Sequence, residues 1–262
     1  MESLWGDLVA HCSDFVLYAV APTVVVNLAY LLGVAASLLL DRIPSLARDK
    51  IQKHYHGRAA LLRLLRHLTV AKLLGEIPMT FAAYPIFVWL GVKKELPLPG
   101  AASILVFLAA AFVVEDAWHY FAHRALHTRW GFRKIHFMHH EFTTPFGPAA
   151  NYAHPLETLF TGFGTVLPVL LVRPHLYTML IWIVARQLQA VRVHVGYDLP
   201  WRPSRFLPLV GGARFHDRHH RRFNRNYAPT FVWLDRLLGT ADEVNLGPRP
   251  AGAAEQPVVI EE

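Results

Sequence analysis

Eight of the sixteen histidines fall into three short runs: His123-Arg-Ala-Leu-His127, His136-Phe-Met-His139-His140 and His216-Asp-Arg-His219-His220. Imidazole is the commonest protein ligand for first-row transition metals. On a helix, positions i, i+3 and i+4 share one face, so each run can present its rings in one direction. Eight imidazoles are too many for one ion and suit two. Within each His-x-x-His-His run the first and last rings share a face. Adjacent rings such as His139 and His140 diverge by roughly 100° on a helix. One ion cannot easily take both, so each His-His pair is expected to divide its rings between two ions.

A nitrogen-rich donor set with no thiolate suits iron, zinc, copper or nickel better than magnesium or calcium. Zinc would supply a Lewis acid or a bound hydroxide. Two irons would permit oxygen activation, and the apolar surroundings point to a lipid whose unactivated C–H bonds require redox chemistry. Zinc can still occupy such a site in purified protein. Beyond the three runs, His194 is an expected ligand, and His119 and His154 are candidates for a ligand or for a donor that orients one. Asp116, Glu157, Asp198, Asp217 and Asp235, with Glu115, are candidate acceptors for imidazole N–H groups. Each of these acids can equally be a helix cap or a surface ion pair. The isolated His11, His54, His56, His67 and His175 read as structural or solvated.

These residues must be held by a membrane-embedded frame. The chain has 262 residues, of which 53% are hydrophobic and only 17% charged, against about a quarter charged in ordinary soluble domains. The single Cys12 excludes an intramolecular disulfide and a cysteine-based zinc or iron–sulfur site. The net charge of +7 does not indicate nucleic acid. The basic residues cluster beside apolar segments, which fits contact with anionic headgroups or an acidic protein partner.

Phe15 to Leu40 carries no charge and exceeds the roughly 20 residues a spanning helix needs. Acidic Glu2, Asp7 and Asp14 precede it, and seven basic residues from Arg42 to Arg66 follow it. The positive-inside rule therefore puts the N-terminus outside and the next segment in the cytosol. Leu68 to Val92 is a weaker span or a re-entrant segment, interrupted by Lys72, Glu76 and Pro78. Ala101 to Val114 runs straight into the first histidine run. Leu156 to Val172 and Leu176 to Val191 read as a helical hairpin around Arg173 and Pro174. The expected architecture is all-α, an integral membrane bundle of about four spans. All three runs then sit in a cytosolic helical cap. The expected organisation is an anchor and basic segment over 1–67, a catalytic domain over 68–240, and a disordered tail over 241–262.

At this level the residues resemble the fatty acid hydroxylase superfamily. The resemblance rests on Glu115-Asp-Ala-Trp-His-Tyr-Phe-Ala-His-Arg-Ala-Leu-His127, the spacing to His136-x-x-His-His140, and Glu141-Phe-x-x-Pro-Phe-Gly147. His216-Asp-x-His-His220 and Asn226-Tyr-Ala-x-Thr-Phe-x-Trp-x-Asp-Arg236 extend the match, and Tyr152-Ala-His-Pro-Leu-Glu157 and His194-x-Gly-Tyr-Asp198 narrow it to the sterol C4-methyl oxidase branch. It covers about residues 70–240. One departure is visible: Phe215 stands where this branch is expected to carry a further histidine. The resemblance implies a di-iron monooxygenase of the endoplasmic reticulum membrane, or of the inner membrane if bacterial. It would oxidise a sterol C4-methyl group to alcohol, aldehyde and carboxylate. Electrons would come from NAD(P)H through cytochrome b5 or a reductase. On that reading Phe146, Tyr152, Trp182 and Tyr227 are candidate walls of the sterol slot. Fatty acid hydroxylation, desaturation and aldehyde decarbonylation remain open on the same scaffold. A metal transporter would need a polar path through the spans, and Phe15 to Leu40 and Ala101 to Val114 offer none.

Overall fold

A computed structural model describes residues 2–242; most of the tail expected over 241–262 lies outside the described residues. Among the described residues the fold is all-helical, with two isolated β-bridges and no strand. Helix α1 (Glu2–His11) leads through a π turn (Val16–Val20) into α2 (Ala21–Leu40). Helices α3 (Arg58–Ala71) and α4 (Ile77–Trp89) are joined without a break by a π turn over Lys72–Glu76. The Lys72 and Glu76 side chains close that turn as an ion pair at 2.9 Å, so these two charges, interrupting an apolar stretch, neutralise each other. The boundary expected at residue 67 falls inside α3.

Helix α5 (Ala101–Leu126) follows the Pro- and Gly-containing turn at 93–100 and has no internal proline. The short α6 (Arg129–Lys134) leads into a 3₁₀ helix over His136–Glu141. A second 3₁₀ helix (Gly147–Asn151) precedes α7 (Pro155–Val172) and α8 (Leu176–Val193). Arg173 reverses the chain between them in a left-handed conformation, φ 51°, and Pro174 stops any helical continuation. The cap ends with α9 (Ala213–Arg222) and the one-turn α10 (Trp233–Leu237).

Two helix pairs, α2 with α8 and α5 with α7, make the most extensive contacts. Three helical segments are long and apolar enough to cross a membrane: 16–40, 101–126 and 155–172. The return limb α8 is as long as α7, but Arg186, Gln187, Gln189 and Arg192 lower its hydropathy. Much of the apolar surface of the three segments faces outward, including Leu31, Leu32, Leu105, Val106, Leu171 and Val172. Lipid is the natural solvent for such a surface. Away from the histidines the core is Trp5, Leu17, Tyr18, Phe107, Leu176, Met179 and Trp182; toward them it is Tyr30, Leu64, Leu68, Phe142, Tyr152 and Val191.

The α5–α7 pair approaches closely at Gly164. A Cβ there would stand 2.8 Å from Trp118 Cδ1, and Trp118 is itself fixed by donating Nε1 to Phe160 O at 2.8 Å. Gly164→Val is expected to destabilise the protein by about 1–3 kcal/mol through overpacking. Thermal unfolding in detergent or nanodiscs checks this, and an unchanged melting temperature would show that the pair can part at no cost.

Candidate metal centre

The three histidine runs and His194 converge into two adjacent groups. His123, His127, His136, His140 and His219 form one, and His139, His194, His216 and His220 the other. Local geometry divides the runs as their spacing requires. His136 and His140 enter the first group while His139, between them, turns into the second. On α9, His216 and His220 face the second group and His219 the first. The second run is a 3₁₀ helix and not an α-helix, so its residues advance by about 120°. That brings the His136 and His139 rings into a stack at 5.4 Å and 23° while their neighbours diverge. Gly131 permits the turn between the first two runs. A Cβ there would meet the Leu126 carbonyl at 2.8 Å, so only glycine lets α6 fold back onto the end of α5.

Within each group the candidate donor atoms lie inside 4.8 Å of one another. His123 Nε2 stands 2.9 Å from His136 Nε2, which is 3.1 Å from His140 Nε2. His219 and His140 Nε2 are 3.2 Å apart, and His140 and His127 Nε2 are 3.3 Å apart. In the second group the chain runs His139 to His194 at 3.3 Å, His194 to His216 at 2.9 Å, and His216 to His220 at 3.0 Å.

The opposite ring nitrogens fix the tautomer of four of the nine rings, and with it the nature of the His139–His194 contact. His123 Nδ1 donates to Tyr227 O at 2.7 Å, His139 Nδ1 to Tyr152 O at 3.0 Å, His194 Nδ1 to Ala190 O at 2.8 Å and His219 Nδ1 to Arg225 O at 2.7 Å. His136 Nδ1 lies 2.8 Å from Glu157 Oε2. A carbonyl only accepts, so the four rings held by carbonyls carry their hydrogen on Nδ1 and turn an Nε2 lone pair inward. Lone pairs facing at 3 Å repel unless a cation lies between them. For a metal–nitrogen bond of about 2.1 Å, neighbouring ligands are about 3.0 Å apart at 90° and about 3.4 Å apart in a tetrahedron. The observed spacings match that range, so the residues fit a bound transition metal in each group.

Burial keeps the rings neutral. Desolvation, then repulsion from neighbouring imidazoles, pushes His127 down to about 2 and His194 to about 3. Burial likewise pushes His139 down to about 4 and His219 to about 3, against partial opposition from their carbonyl hydrogen bonds. His136, His140, His216 and His220 move well below the ordinary range for the same first cause.

The other candidates take different places. His119 is outside both groups; its Nδ1 is 3.3 Å from Glu115 Oε1, and the same oxygen is 2.7 Å from Arg186 Nε. His154 is not brought to the centre: it caps α7, its Nδ1 accepting from Leu156 N at 3.2 Å. Of the acids, only Glu157 meets a ring of the two groups. Asp116 accepts the N–H groups of Thr230 and Phe231, both at 2.9 Å. Asp198 pairs with Arg202 and Arg214, and Asp217 with Arg221 and Gln52. Asp235 accepts from Tyr227 N and Ala228 N at 2.9 and 2.8 Å. It thereby fixes the loop whose carbonyls hold His123 and His219, and so works through backbone and not through an imidazole. Each of the four is instead committed to backbone N–H groups, arginines or Gln52.

Tyr152 and Tyr227, expected as slot walls, serve the centre through their carbonyl oxygens; the Tyr227 ring also lies 5.2 Å from the His127 ring. Trp182 is fully buried against Phe112, and Phe146 packs on His56 and Phe142. Neither reaches either histidine group. Asn226 belongs to a motif that carries the resemblance, but the sequence assigned it no structural role. It is fully buried with φ 58°, donates Nδ2 to Phe215 O at 3.0 Å and accepts Asp242 N at 2.6 Å. Its residue type in a left-handed turn is the signal that could have found it. Of the five isolated histidines, His56, His67 and His175 bond backbone carbonyls of other segments, and none joins either group.

A family model described as fatty acid hydroxylase matches residues 108–240. Two curated relatives from Oryza sativa subsp. indica, very-long-chain aldehyde decarbonylases GL1-8 and GL1-11, are 40% and 41% identical over 248 residues. Methylsterol monooxygenase 2-2 of Arabidopsis thaliana is 38% identical over 243 residues. Each alignment covers 92% of this chain and 91% of the relative. No solved structure matches.

An imidazole in an unfolded chain titrates near 6.5, well above its folded value here. Below that pH the unfolded chain takes up protons that the folded one refuses, so stability rises with pH through the window. The metal-free protein is therefore expected to lose stability as pH falls from about 6.5 toward 4, the value to which His139 is pushed. Thermal unfolding of chelator-treated protein between about pH 7.5 and 5 tests it. A flat profile would mean that the rings are not buried neutral.

Proposed function

The chain belongs to the fatty acid hydroxylase family, and from that premise we propose that it is a di-iron membrane oxygenase oxidising a sterol C4-methyl group stepwise. The observation that carries the metal half of this reading is the pair of all-imidazole groups whose Nε2 lone pairs converge. Two irons bound there would supply the redox chemistry needed to activate O2 against an unactivated C–H bond. Curated relatives named methylsterol monooxygenase support the substrate half. His123, His127, His136, His140 and His219 would hold one ion, and His139, His194, His216 and His220 the other.

The remaining residues hold those donors in place. The carbonyls of Tyr152, Ala190, Arg225 and Tyr227 set the tautomer of four rings, which also raises ligand basicity, and Glu157 stands against a fifth. Burial excludes bulk water from both groups. The proposed setting is the endoplasmic reticulum membrane with the cap in the cytosol, where cytochrome b5 or an NAD(P)H-dependent reductase would deliver electrons. The arginines of α9 are largely committed to pairs within the cap: Arg214 with Asp198, Arg218 and Arg222 with Asp242, and Arg221 with Asp217. The electron donor is therefore expected to use another basic surface.

Aldehyde decarbonylation is the second reading, favoured by the two rice relatives carrying that name at 40% and 41% identity. Anaerobic iron loading, followed by O2, a reductant and a 4,4-dimethyl sterol, separates the two by mass spectrometry of the products. Gain of one oxygen and then aldehyde and acid is the expected result. Unchanged sterol beside a chain-shortened alkane from a long-chain aldehyde would overturn it in favour of decarbonylation.

His139→Ala and His219→Ala each remove one donor from a different group. Both are expected to abolish turnover and to lower bound metal while leaving membrane insertion largely intact. Wild-type product formation in either variant would remove that histidine from the centre. Glu157→Gln tests orientation. It keeps an acceptor oxygen for His136 but removes its charge, so metal affinity should weaken by about 10–100-fold.

A further inference from the structure

Helices α5 and α8 and the segments around Pro203 and Phe231 line an open crevice of about 440 Å3. Its walls include Phe112, Leu188, Pro203 and Phe231, and its polar members are Gln189, Thr230 and Arg192. None of the four aromatic residues expected to line a substrate slot is among them. The volume falls in the range of small-molecule sites, roughly 300–1,000 Å3.

Arg192 is the unusual member. Ala185, Leu188, Gln189 and Arg192 lie at i, i+3, i+4 and i+7 on α8, so one helix face carries an apolar wall ending in a guanidinium. Among the described residues no carboxylate faces that guanidinium. The nearby arginines are not in this position: Arg186 is paired with Glu115, and Arg202 and Arg214 with Asp198. A half-buried cation beside apolar surface is costly, and inside a membrane protein such a group marks a ligand or a path. The neighbouring Gln189 is already committed, donating to Pro229 O at 2.6 Å.

The crevice also shares its supports with the metal centre. Helix α8 carries Arg192, and His194 caps its C-terminal end. The segment 227–231 offers the Tyr227 carbonyl to His123 at one end and the Phe231 wall at the other. At the mouth, Pro203 belongs to a stretch with outward-facing Trp201, Phe206, Leu207 and Leu209, interleaved with Arg202 and Arg205. Aromatic and aliphatic side chains mixed with arginine in this way suit the headgroup boundary of a bilayer.

We propose that this crevice binds an amphipathic lipid, with Arg192 anchoring a hydroxyl or carboxylate oxygen at the polar end of its apolar body. The inference deepens the oxygenase reading by assigning its substrate a place. The shared chemistry is an oxygen-bearing head on a hydrocarbon, which a sterol 3-hydroxyl or a fatty acid carboxylate would each supply.

The test is photolabelling of the full-length protein in nanodiscs, with labelled peptides mapped by mass spectrometry. Three diazirine probes are used: a 4-methyl sterol with a free 3-hydroxyl, its 3-methyl ether, and a long-chain fatty acid. The hydroxyl probe is expected to label peptides containing 185–192 or 230–231. Arg192→Leu should lower that labelling by about tenfold, the loss of one charge-assisted hydrogen bond, with the methyl ether labelling weakly in both proteins. Leu188→Trp, which fills the crevice, should lower labelling by every probe.

Labelling confined to other segments, or equal labelling of Arg192→Leu and wild type, would overturn the proposal. Retained metal shows that a variant has folded. An Arg192→Leu protein that loses its metal leaves the decision to Leu188→Trp, where undiminished labelling overturns and lost labelling supports. Strong capture of the fatty acid with none of the sterol would uphold the crevice while removing the sterol as its occupant. Capture of the sterol without oxidation would uphold the crevice and sink the oxygenase reading.

Discussion

Nine imidazoles, eight of them buried and His127 half-buried, turn their Nε2 atoms toward one another at spacings near 3 Å, and the rest of the molecule is arranged around that fact. Four of those rings are protonated on Nδ1, because a backbone carbonyl accepts there. Their inward lone pairs repel one another and are far from water. Only cations in the gaps turn this arrangement from a liability into the strongest set of interactions in the fold. The Nδ1 hydrogen bonds are therefore more than decoration. They choose the tautomer, set the ring plane and keep the donors aimed inward.

That requirement explains why a helix as polar as α9 is buried. Phe215, His216, Asp217, Arg218, His219 and His220 are all inside, and every charge among them has a counter-charge from another part of the cap or from the next turn. The loop after α9 is shaped just as closely. Phe223 and Asn226 hold left-handed conformations at φ 61° and 58°, which disfavour a bulky residue such as Phe. The Phe223 ring packs 4.9 Å from the His140 ring, while Asn226 clasps Phe215 and Asp242. Strain at Phe223 is offset by the carbonyls of Arg225 and Tyr227 reaching His219 and His123. Phe215, standing where a further histidine was expected, is almost fully buried and contributes packing instead.

The membrane-spanning helices supply rigidity to this cap. Helix α5 delivers the first histidine run at its C-terminal end, and α8 leads directly into His194. The α5–α7 contact, tightened at Gly164, and the α2–α8 contact fix the spacing between those two ends. Buried ion pairing within the frame follows the same economy. Glu115, with no exposure, is held between Arg186 and His119, joining α5 to α8 just before the first histidine group begins. Charges inside an apolar frame survive only when paired or when they meet a ligand.

The sequence alone determined the helical membrane architecture, the three histidine runs, and the division of each His-His pair between two groups. These are consequences of local periodicity: an uncharged run long enough to span, and adjacent rings that must diverge along any helix. It also made His194 a candidate, through its place at the end of an apolar limb. What the tertiary structure decided was which groups meet across the chain. Four of the five visible Nδ1 partners are backbone carbonyls. Every residue has a carbonyl, so residue type carries no sign of which one will be chosen. For the same reason Asp116, Asp198, Asp217 and Asp235 looked like imidazole partners, yet went to backbone amides, arginines and Gln52 once the fold brought those donors closer. The apolar crevice at Arg192 was equally hidden, because its walls come from four separate segments that share no pattern along the chain.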